Sequence, residues 1–415
     1  MTISLGMVSS SLLHSLLLAW GTPHPREIAP DSPRFSLPIS TRLNRSRPLK
    51  FGHRGTERAA FLRNRVQNNH QLLPRGINEP LEDEASLYVA TVLIGTPGNS
   101  YDLVLDTASC NTWVGGGKPF IVTSSSRPTG SAVRVSLDLD REFLGSEFLD
   151  QVSFAGLVMP NKSIGALVSF TNGFAGVDGV LGIGPYELSI GTLQSNLSMG
   201  IPNMLQTLSC QGSIQLEAFG IFMQPTTSLN SVNGEITWGG EDTSKVSTPV
   251  FSATVPITTT SPALNYWGID VAFLYGTTPI LNVSAGIIDS GSALIYLAND
   301  AWIRYIQATG ATFDFNTGLL TVPSMDNLQN LVLVLGGEQF PLTPNAQIWP
   351  RALNSVIGGN PNQIYLVISG LATSSGQGLD FILGMAFLQR YYTVYFYDLE
   401  MFKLTSTPFT NATTN

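Results

Sequence analysis

Histidine, cysteine and charged residues are all scarce in this chain, and the shortage of histidine excludes whole classes of catalysis. Of 415 residues, 12% are charged, two are cysteines and four are histidines. All four histidines, His14, His24, His53 and His70, precede residue 76. The rest of the chain therefore cannot use a Ser-His-Asp or Cys-His arrangement, and it lacks a ligand common in zinc sites.

The cysteine count and the absence of long apolar runs set two further limits. Cys110 and Cys210 could form one disulfide or remain two free thiols, because a sequence cannot show that two residues meet. Two cysteines alone also make a poor metal site. Beyond residue 21, no segment offers the roughly 18 apolar residues that a membrane span needs. We therefore expect a soluble body that holds no metal.

Turn-forming and β-forming residues are abundant. The chain contains 40 glycines and 25 prolines, with many Thr, Ser and Val, and 43% of its residues are hydrophobic. This composition is typical of turn-rich β structure rather than of a helical bundle. The length is sufficient for two large lobes together with segments that are removed during processing.

The N-terminal region divides into an uncharged part and a basic part. Residues 1–21 carry no charged side chain and are largely apolar over residues 12–20, which predicts a secretory signal peptide over residues 1–21. Residues 22–75 have a net charge of +8, whereas residues 76–415 have one of −16. A basic leader can bind an acidic body at neutral pH and leave when acid protonates carboxylates. We therefore predict a removable prosegment over residues 22–78; the alternative is a basic tail that meets nothing or meets nucleic acid.

Two short strings carry most of the functional information. Residues 104–109 (VLDTAS) and 287–292 (IIDSGS) are apolar strands that end in an aspartate, followed by a small hydroxyl residue. The two aspartates, Asp106 and Asp289, suggest a duplicated scaffold that brings two carboxylates together. Such a pair shares one proton and can act as acid and base. The alternative for Asp106 is a turn residue that caps its own backbone.

Each half of the chain repeats the same order of patterns. After its aspartate string, each half has an apolar string that ends in glycine, at residues 178–184 and 380–384. Residues 299–309 predict a helix with Trp302, Ile303 and Ile306 on one face. The Thr-, Ser- and Pro-rich stretch 248–262 is the best candidate junction between the halves.

These strings, in this order, resemble the pepsin-like aspartic proteases, and within them the polyporopepsin-like secreted enzymes of fungi. The strings that carry the resemblance are 106–113 (DTASCNTW), 178–182 (DGVLG), 266–269 (YWGI), 289–292 (DSGS), 346–351 (AQIWPR) and 381–384 (FILG). The resemblance covers roughly residues 80–415. It implies a mainly β, bilobal pepsin-like acid protease fold: two pseudo-symmetric β lobes, 79–255 and 256–415, with the active-site cleft between them.

The resemblance also implies a mechanism without any cofactor, in which Asp106 and Asp289 activate a water molecule, and it assigns supporting roles to their neighbours. Thr107 and Ser290 would hydrogen-bond to the opposite loop, and Gly291 would donate its backbone N–H to the pair. Ser109 and Ser292 would donate hydroxyls to the outer carboxylate oxygens. Trp113 would line the substrate side of the cleft, or it is simply part of the core.

Two departures from the family pattern bear on activity. The glycine expected after the first hydroxyl residue is Ala108, which would cost about 1 kcal/mol or more if that position needs a positive φ. The tyrosine expected on the flap hairpin over the cleft is Leu137, or Asp138 if the alignment is counted back from Phe143. Neither replacement can supply a tyrosine hydroxyl.

The sequence thus predicts a secreted acid aspartic endopeptidase that is made as a zymogen and acts as a monomer on peptide or protein substrates. The first alternative is a peptide-binding protein on the same scaffold with poor turnover, and the second is a structural or carbohydrate-binding β protein. We expect its own basic prosegment as a further partner, and no nucleic acid. Five sequons mark candidate glycosylation sites, at Asn44, Asn161, Asn196, Asn282 and Asn411.

Overall fold

The computed structural model describes residues 33–42, 51–67, 87–136, 142–170, 176–248 and 250–415. The compact unit Arg34–Asn415 contains every helix and strand of that part of the chain. The predicted signal peptide and the flap position Leu137 lie outside the described residues. Four α-helices are found in the described ranges: α1 (Phe51–Gln67), α2 (Met204–Cys210), α3 (Asn299–Thr309) and α4 (Met385–Leu388).

Most of the remaining structure is β. The strands of the first 250 residues, within the described ranges, are β1 (Phe35–Arg42), β2 (Leu87–Ile94), β3 (Asn99–Asp106), β4 (Trp113–Val114), β5 (Arg127–Ser136), β6 (Glu142–Phe154), β7 (Leu157–Phe170), β8 (Gly179–Gly182), β9 (Ala218–Met223) and β10 (Asn230–Trp238). Those that follow are β11 (Ser252–Pro256), β12 (Gly268–Tyr275), β13 (Thr278–Ile288), β14 (Ile295–Leu297), β15 (Thr312–Asp314), β16 (Leu319–Val322), β17 (Leu331–Leu335), β18 (Glu338–Leu342), β19 (Ile364–Leu366), β20 (Ile368–Gly370), β21 (Phe381–Leu383), β22 (Tyr391–Phe396) and β23 (Met401–Ser406).

The strands form three sheets that make up two lobes. The largest has the order β11-β23-β22-β9-β10-β1-β2-β3-β8-β4-β7-β6-β5, so that β11, β22 and β23 join it to strands of the first half. The second half forms a sheet β18-β17-β12-β13-β21-β14-β20 and a small sheet β15-β16-β19. The predicted mainly β, bilobal class is confirmed.

The two aspartate strings occupy equivalent places in the two lobes. Strand β3 ends at Asp106 and pairs in parallel with β8, while β13 ends just before Asp289 and pairs in parallel with β21. The glycines that close the neighbouring strings are required by close backbone approach. A Cβ on Gly182 would lie 2.6 Å from the Asn111 carbonyl oxygen, and one on Gly384 would overlap the Ser292 carbonyl oxygen.

The helix predicted over residues 299–309 is confirmed by α3, and Trp302 and Ile306 of its predicted face are partly buried against the main core, whereas Ile303 is not. The side chains that α3 buries are Ala301 and Tyr305, whereas Ile303 is 44% exposed. The Tyr305 hydroxyl donates to the Gln347 side-chain oxygen at 2.9 Å, which gives a buried polar group its partner.

The basic segment is built into the fold. Strand β1 lies between β10 and β2 and pairs antiparallel with both. Helix α1 buries Ala59, Phe61 and Leu62 in the main hydrophobic core. In the described part of the segment, the alternative of a tail that meets nothing is therefore wrong.

Candidate active site

Asp106 and Asp289 are buried at the ends of their strands, and each accepts a hydrogen bond from a backbone N–H two residues later. Asp106 is 5% exposed and Asp289 is fully buried. The Ala108 N–H donates to Asp106 Oδ1 at 2.8 Å, and the Gly291 N–H donates to Asp289 Oδ1 at 3.0 Å. Asp106 therefore does cap its own turn, as the alternative proposed, but it does so in a site that is duplicated around Asp289.

Four hydrogen bonds lock the two aspartate loops together. The Thr107 N–H donates to Ser290 Oγ at 3.0 Å, and the Ser290 N–H donates to Thr107 Oγ1 at 2.9 Å. In turn, Thr107 Oγ1 donates to the Ile288 carbonyl at 3.0 Å, and Ser290 Oγ donates to the Leu105 carbonyl at 2.7 Å. Each hydroxyl thus both donates and accepts across the loop interface, and serine serves as well as threonine.

A residue that the sequence reasoning did not single out, Arg58 of α1, joins the two carboxylates. Its Nη2 donates to Asp289 Oδ1 at 2.7 Å and to Asp106 Oδ1 at 3.0 Å, and its Nε donates to Asp289 Oδ2 at 2.6 Å. The Arg58 side chain is only 14% exposed. Because one nitrogen reaches both Oδ1 atoms, the two inner carboxylate oxygens face the same point.

The environment of Asp289 favours its ionised form. Burial alone would raise the pKa of this carboxyl. The positive charge of Arg58 and its hydrogen bonds, together with those from the Ser292 hydroxyl and the Gly291 N–H, outweigh burial and lower the pKa below its ordinary value of 3.8. The Ser292 hydroxyl donates to Asp289 Oδ2 at 2.6 Å, which is the contact expected from the resemblance.

The corresponding contact from Ser109 is not made, so that expectation is wrong for this structure. The Ser109 hydroxyl is buried and has no hydrogen-bond partner among the described residues. The backbone of Ser109 is held instead by the Gly184 N–H, which donates to the Ser109 carbonyl at 2.7 Å. The two loops therefore match in their backbones but differ in how their outer oxygens are supported.

Ala108 is accommodated without backbone strain. It is buried in the hydrophobic core and does not belong to the non-glycine residues with positive φ, which in the described part are Ala155, Ala372 and Glu400. The penalty expected for a positive φ therefore does not arise, and the hydrogen bond of the Ala108 N–H is intact. A methyl group at the equivalent Gly291 would lie 2.8 Å from the Arg58 Cζ and 3.2 Å from Asp106 Oδ1.

Trp113 is part of the core. It is fully buried, and its ring lies 4.7 Å from that of Phe143 within a cluster of valines. Of the two interpretations of Trp113, the core one describes this structure. Leu137, the other predicted cleft residue, lies outside the described residues.

The described ranges also contain the two cysteines and four of the sequon asparagines. Cys110 is buried and Cys210 is exposed, and both are free, so no disulfide joins them. No group of His, Cys, Asp and Glu side chains suited to a metal ion occurs among the described residues. None of the helices there is long and apolar enough to cross a membrane. The sequon asparagines Asn161, Asn196, Asn282 and Asn411 are all exposed.

Three more residues of this region were given no role in the site by sequence reasoning: Tyr266, Arg63 and Arg65. The Tyr266 hydroxyl donates to the Leu62 carbonyl of α1 at 2.9 Å, and burial raises the pKa of this tyrosine to about 12. Arg63 and Arg65 of α1 donate to the carbonyl oxygens of Leu379 and Leu188. The sequence could not single out Arg63 and Arg65, because they are two of eleven basic residues in the segment 22–75.

Comparison with known proteins agrees with this geometry. The family model described as "Eukaryotic aspartyl protease" matches residues 87–406. Polyporopepsin of Irpex lacteus is 44% identical over 339 residues, which cover 81% of this chain and 98% of that protein. Human gastricsin is 26% identical over 76% of this chain and 80% of its own length. The crystal structure of aspartic proteinase from Irpex lacteus matches with a TM-score of 0.78 and 39% identity, over 92% of this chain and all of that one. The chain therefore belongs to the eukaryotic aspartyl protease family.

Proposed function

We propose that the chain is a secreted, acid-acting aspartic endopeptidase that is made as a zymogen, and that Asp106 and Asp289 are its catalytic pair. One observation carries the proposal: the Oδ1 atoms of both aspartates accept hydrogen bonds from the same nitrogen of Arg58. When that cation leaves, two carboxylates at this separation cannot both remain ionised, and they hold one proton between them.

The proposed reaction uses this shared proton. The ionised carboxylate takes a proton from a water molecule as the water oxygen attacks the peptide carbonyl carbon, while the protonated carboxyl donates a hydrogen bond to the forming oxyanion. The backbone N–H groups of Ala108 and Gly291 hold the inner oxygens in place. The cross-loop contacts of Thr107 and Ser290 keep the two carboxylates in register.

The competing proposal, a peptide-binding protein with poor turnover, was motivated by Ala108 and by the missing flap tyrosine. The first motive is weakened, because Ala108 has no positive φ and keeps its N–H on the carboxylate. The second concerns Leu137, which lies outside the described residues. The geometry around Ala108 therefore supports the enzyme rather than the peptide-binding protein.

Helix α1 supports the zymogen part of the proposal. Its Arg58 occupies the position between the carboxylates where a water molecule would have to bind for catalysis. The lowered pKa of Asp289 means that the contact with Arg58 is complete above pH 3.8, the ordinary value, and is lost as the pH falls through the lowered value. Acid would therefore open the site, which agrees with an enzyme that works in acid.

Secretion, glycosylation and a monomeric state remain part of this proposal. Secretion rests on the uncharged N-terminal stretch, and glycosylation rests on the exposed asparagines of four sequons, at Asn161, Asn196, Asn282 and Asn411. Peptide or protein substrates follow from the family, and no cofactor is required by the proposed reaction.

The test is inhibitor-sensitive proteolysis. The full chain is folded at neutral pH, acidified to about pH 3–4 to protonate the carboxylates, and assayed on a denatured protein with and without a transition-state-analogue inhibitor of aspartic proteases. Cleavage that the inhibitor stops, and that Asp289→Asn abolishes, supports the proposal. A folded chain that binds the inhibitor but cleaves nothing would show the peptide-binding alternative instead.

A further inference from the structure

Arg63 of α1 inserts a charged group into the body of the protein. Its side chain is 6% exposed, and its Nη2 donates to the Leu379 carbonyl oxygen. Its Nε and Nη1 are buried without a hydrogen-bond partner in the described part of the chain. Burial lowers the pKa of this guanidinium, and the negative charge of Asp380 partly offsets that effect. The Leu379 carbonyl oxygen thus binds a cation in a buried place, and the charge of Asp380 favours that cation without forming an ion pair with it.

The groups that receive Arg63 are fixed by the body alone. Leu379 and Asp380 immediately precede β21, the strand that pairs with β13 and thereby with the loop of Asp289. The Asp380 carboxylate is 1% exposed and accepts from the Gly376 N–H at 2.7 Å and the Gln377 N–H at 3.1 Å. The Asp380 backbone is also held by the body, since its N–H donates to the Ala285 carbonyl at 2.8 Å and its carbonyl accepts from the Ala298 N–H at 2.7 Å. We therefore expect both groups to stay in place if α1 leaves.

The body contains a second buried arginine, Arg390, whose hydrogen bonds can be compared with those of Arg63. Arg390 donates to the carbonyl oxygens of Phe409, Ala412 and Asn345 and to the Asn345 side chain. Arg63 has one acceptor where Arg390 has four. Arg63 thus leaves two buried nitrogens, Nε and Nη1, without the acceptors that satisfy Arg390.

We propose that, once α1 has left, the Leu379 carbonyl and the Asp380 carboxylate form a subsite that accepts the positively charged side chain of an arginine or lysine in a peptide substrate. This inference rests on the proposed function, since it requires a cleft that α1 vacates. A buried carbonyl oxygen beside a negative charge favours a cationic donor over a neutral one. The subsite would give the enzyme a charge preference at one substrate position.

Paired peptides that differ only in charge test the proposal on the acid-activated full chain. Arginine is placed at each position of a cleavable peptide in turn, and each peptide is compared with one carrying citrulline, which keeps the shape and most N–H donors but has no charge. A second set carries a non-cleavable transition-state analogue at the scissile bond, so that affinity is measured independently of turnover. The assays are run at about pH 5, where an ordinary aspartate is ionised.

The expected result is one position at which arginine exceeds citrulline by about tenfold in kcat/KM and in affinity. Asp380→Asn, which keeps one side-chain oxygen as acceptor, should reduce that ratio to within about threefold. The matched control is Asp326→Asn, at an exposed aspartate of the same lobe, which should leave the ratio unchanged.

Equal values for arginine and citrulline at every position of the unaltered protein would overturn the subsite, whether or not Asp380→Asn folds. A preference that Asp380→Asn leaves intact would overturn it as well. If the cleavable peptides are not hydrolysed at all, the proposed enzyme function fails, and the affinities of the non-cleavable pairs still decide the subsite.

Discussion

Replacing Arg58 by glutamine should open the cleft at a pH where the unaltered chain keeps it closed. The guanidinium makes three hydrogen bonds to the two carboxylates, at 2.6, 2.7 and 3.0 Å, and its side chain is 14% exposed. Removing one partner of a buried ion pair costs about 3–5 kcal/mol. The two carboxylates recover part of this cost by sharing a proton. We therefore expect the closed state to lose about 3 kcal/mol relative to the open state, which is roughly a hundredfold shift toward the open state.

The shift is measured as the binding of a fluorescent transition-state-analogue peptide to the full chain at about pH 6, above the ordinary carboxyl range. This readout reports access to the cleft and does not require turnover. Arg65→Gln is the matched control: the same change on the same helix, at an arginine that donates to the Leu188 carbonyl. We expect roughly a hundredfold gain in apparent affinity for Arg58→Gln and less than about tenfold for Arg65→Gln.

The effect of Arg58→Gln on affinity should depend on pH in a definite direction. Because the pKa of Asp289 is lowered in the closed state, the contact with Arg58 is complete above 3.8, the ordinary value, and weakens as the pH falls through the lowered value. The ratio of affinities between Arg58→Gln and the unaltered chain should therefore approach one in acid. A ratio near one already at pH 6, or a ratio that does not change with pH, would refute the reasoning.

Four further predictions concern the aspartate loops. Asp289→Asn should lower inhibitor-sensitive proteolysis by on the order of 10²–10⁴-fold with an unchanged circular dichroism spectrum. Ala108→Gly should keep kcat/KM within about threefold, since no positive φ is relieved; a large gain would show that the methyl group obstructs catalysis. Gly291→Ala should favour the open state at neutral pH in the peptide-binding assay, because the added Cβ would lie 2.8 Å from the Arg58 Cζ. Thr107→Val should destabilise the fold by about 1–3 kcal/mol in denaturant unfolding, because it leaves buried Ser290 and Ile288 groups unpaired.

The positions of the catalytic candidates were predictable because they depend on local pattern. A short apolar run that ends in Asp-Thr or Asp-Ser specifies a strand and the turn after it, and both Asp106 and Asp289 lie where such runs end. The glycines at 182 and 384 were predictable for a related reason, since a strand beside another backbone leaves no room for a Cβ.

The contacts that depend on tertiary placement were not predictable. Arg58 was one of eleven basic residues in its segment, and only the docking of α1 selects it for the two carboxylates. On α3, the burial of Tyr305 was not predicted, because the partner of its hydroxyl is the distant Gln347. The missing contact of Ser109 was not predictable either, because the equivalent Ser292 does donate to its aspartate.

The three arginine contacts of α1 respond differently to acid, and this difference bears on how the segment would leave. Arg58 binds carboxylates, which protonation neutralises, whereas Arg63 and Arg65 bind carbonyl oxygens, which do not titrate. The backbone hydrogen bonds of β1 with β10 and β2 are likewise insensitive to pH. Acid should therefore free the aspartate pair while the rest of the segment stays bound. It follows that protonation can start the opening of the cleft, but that complete release also requires separation of β1 from the largest sheet.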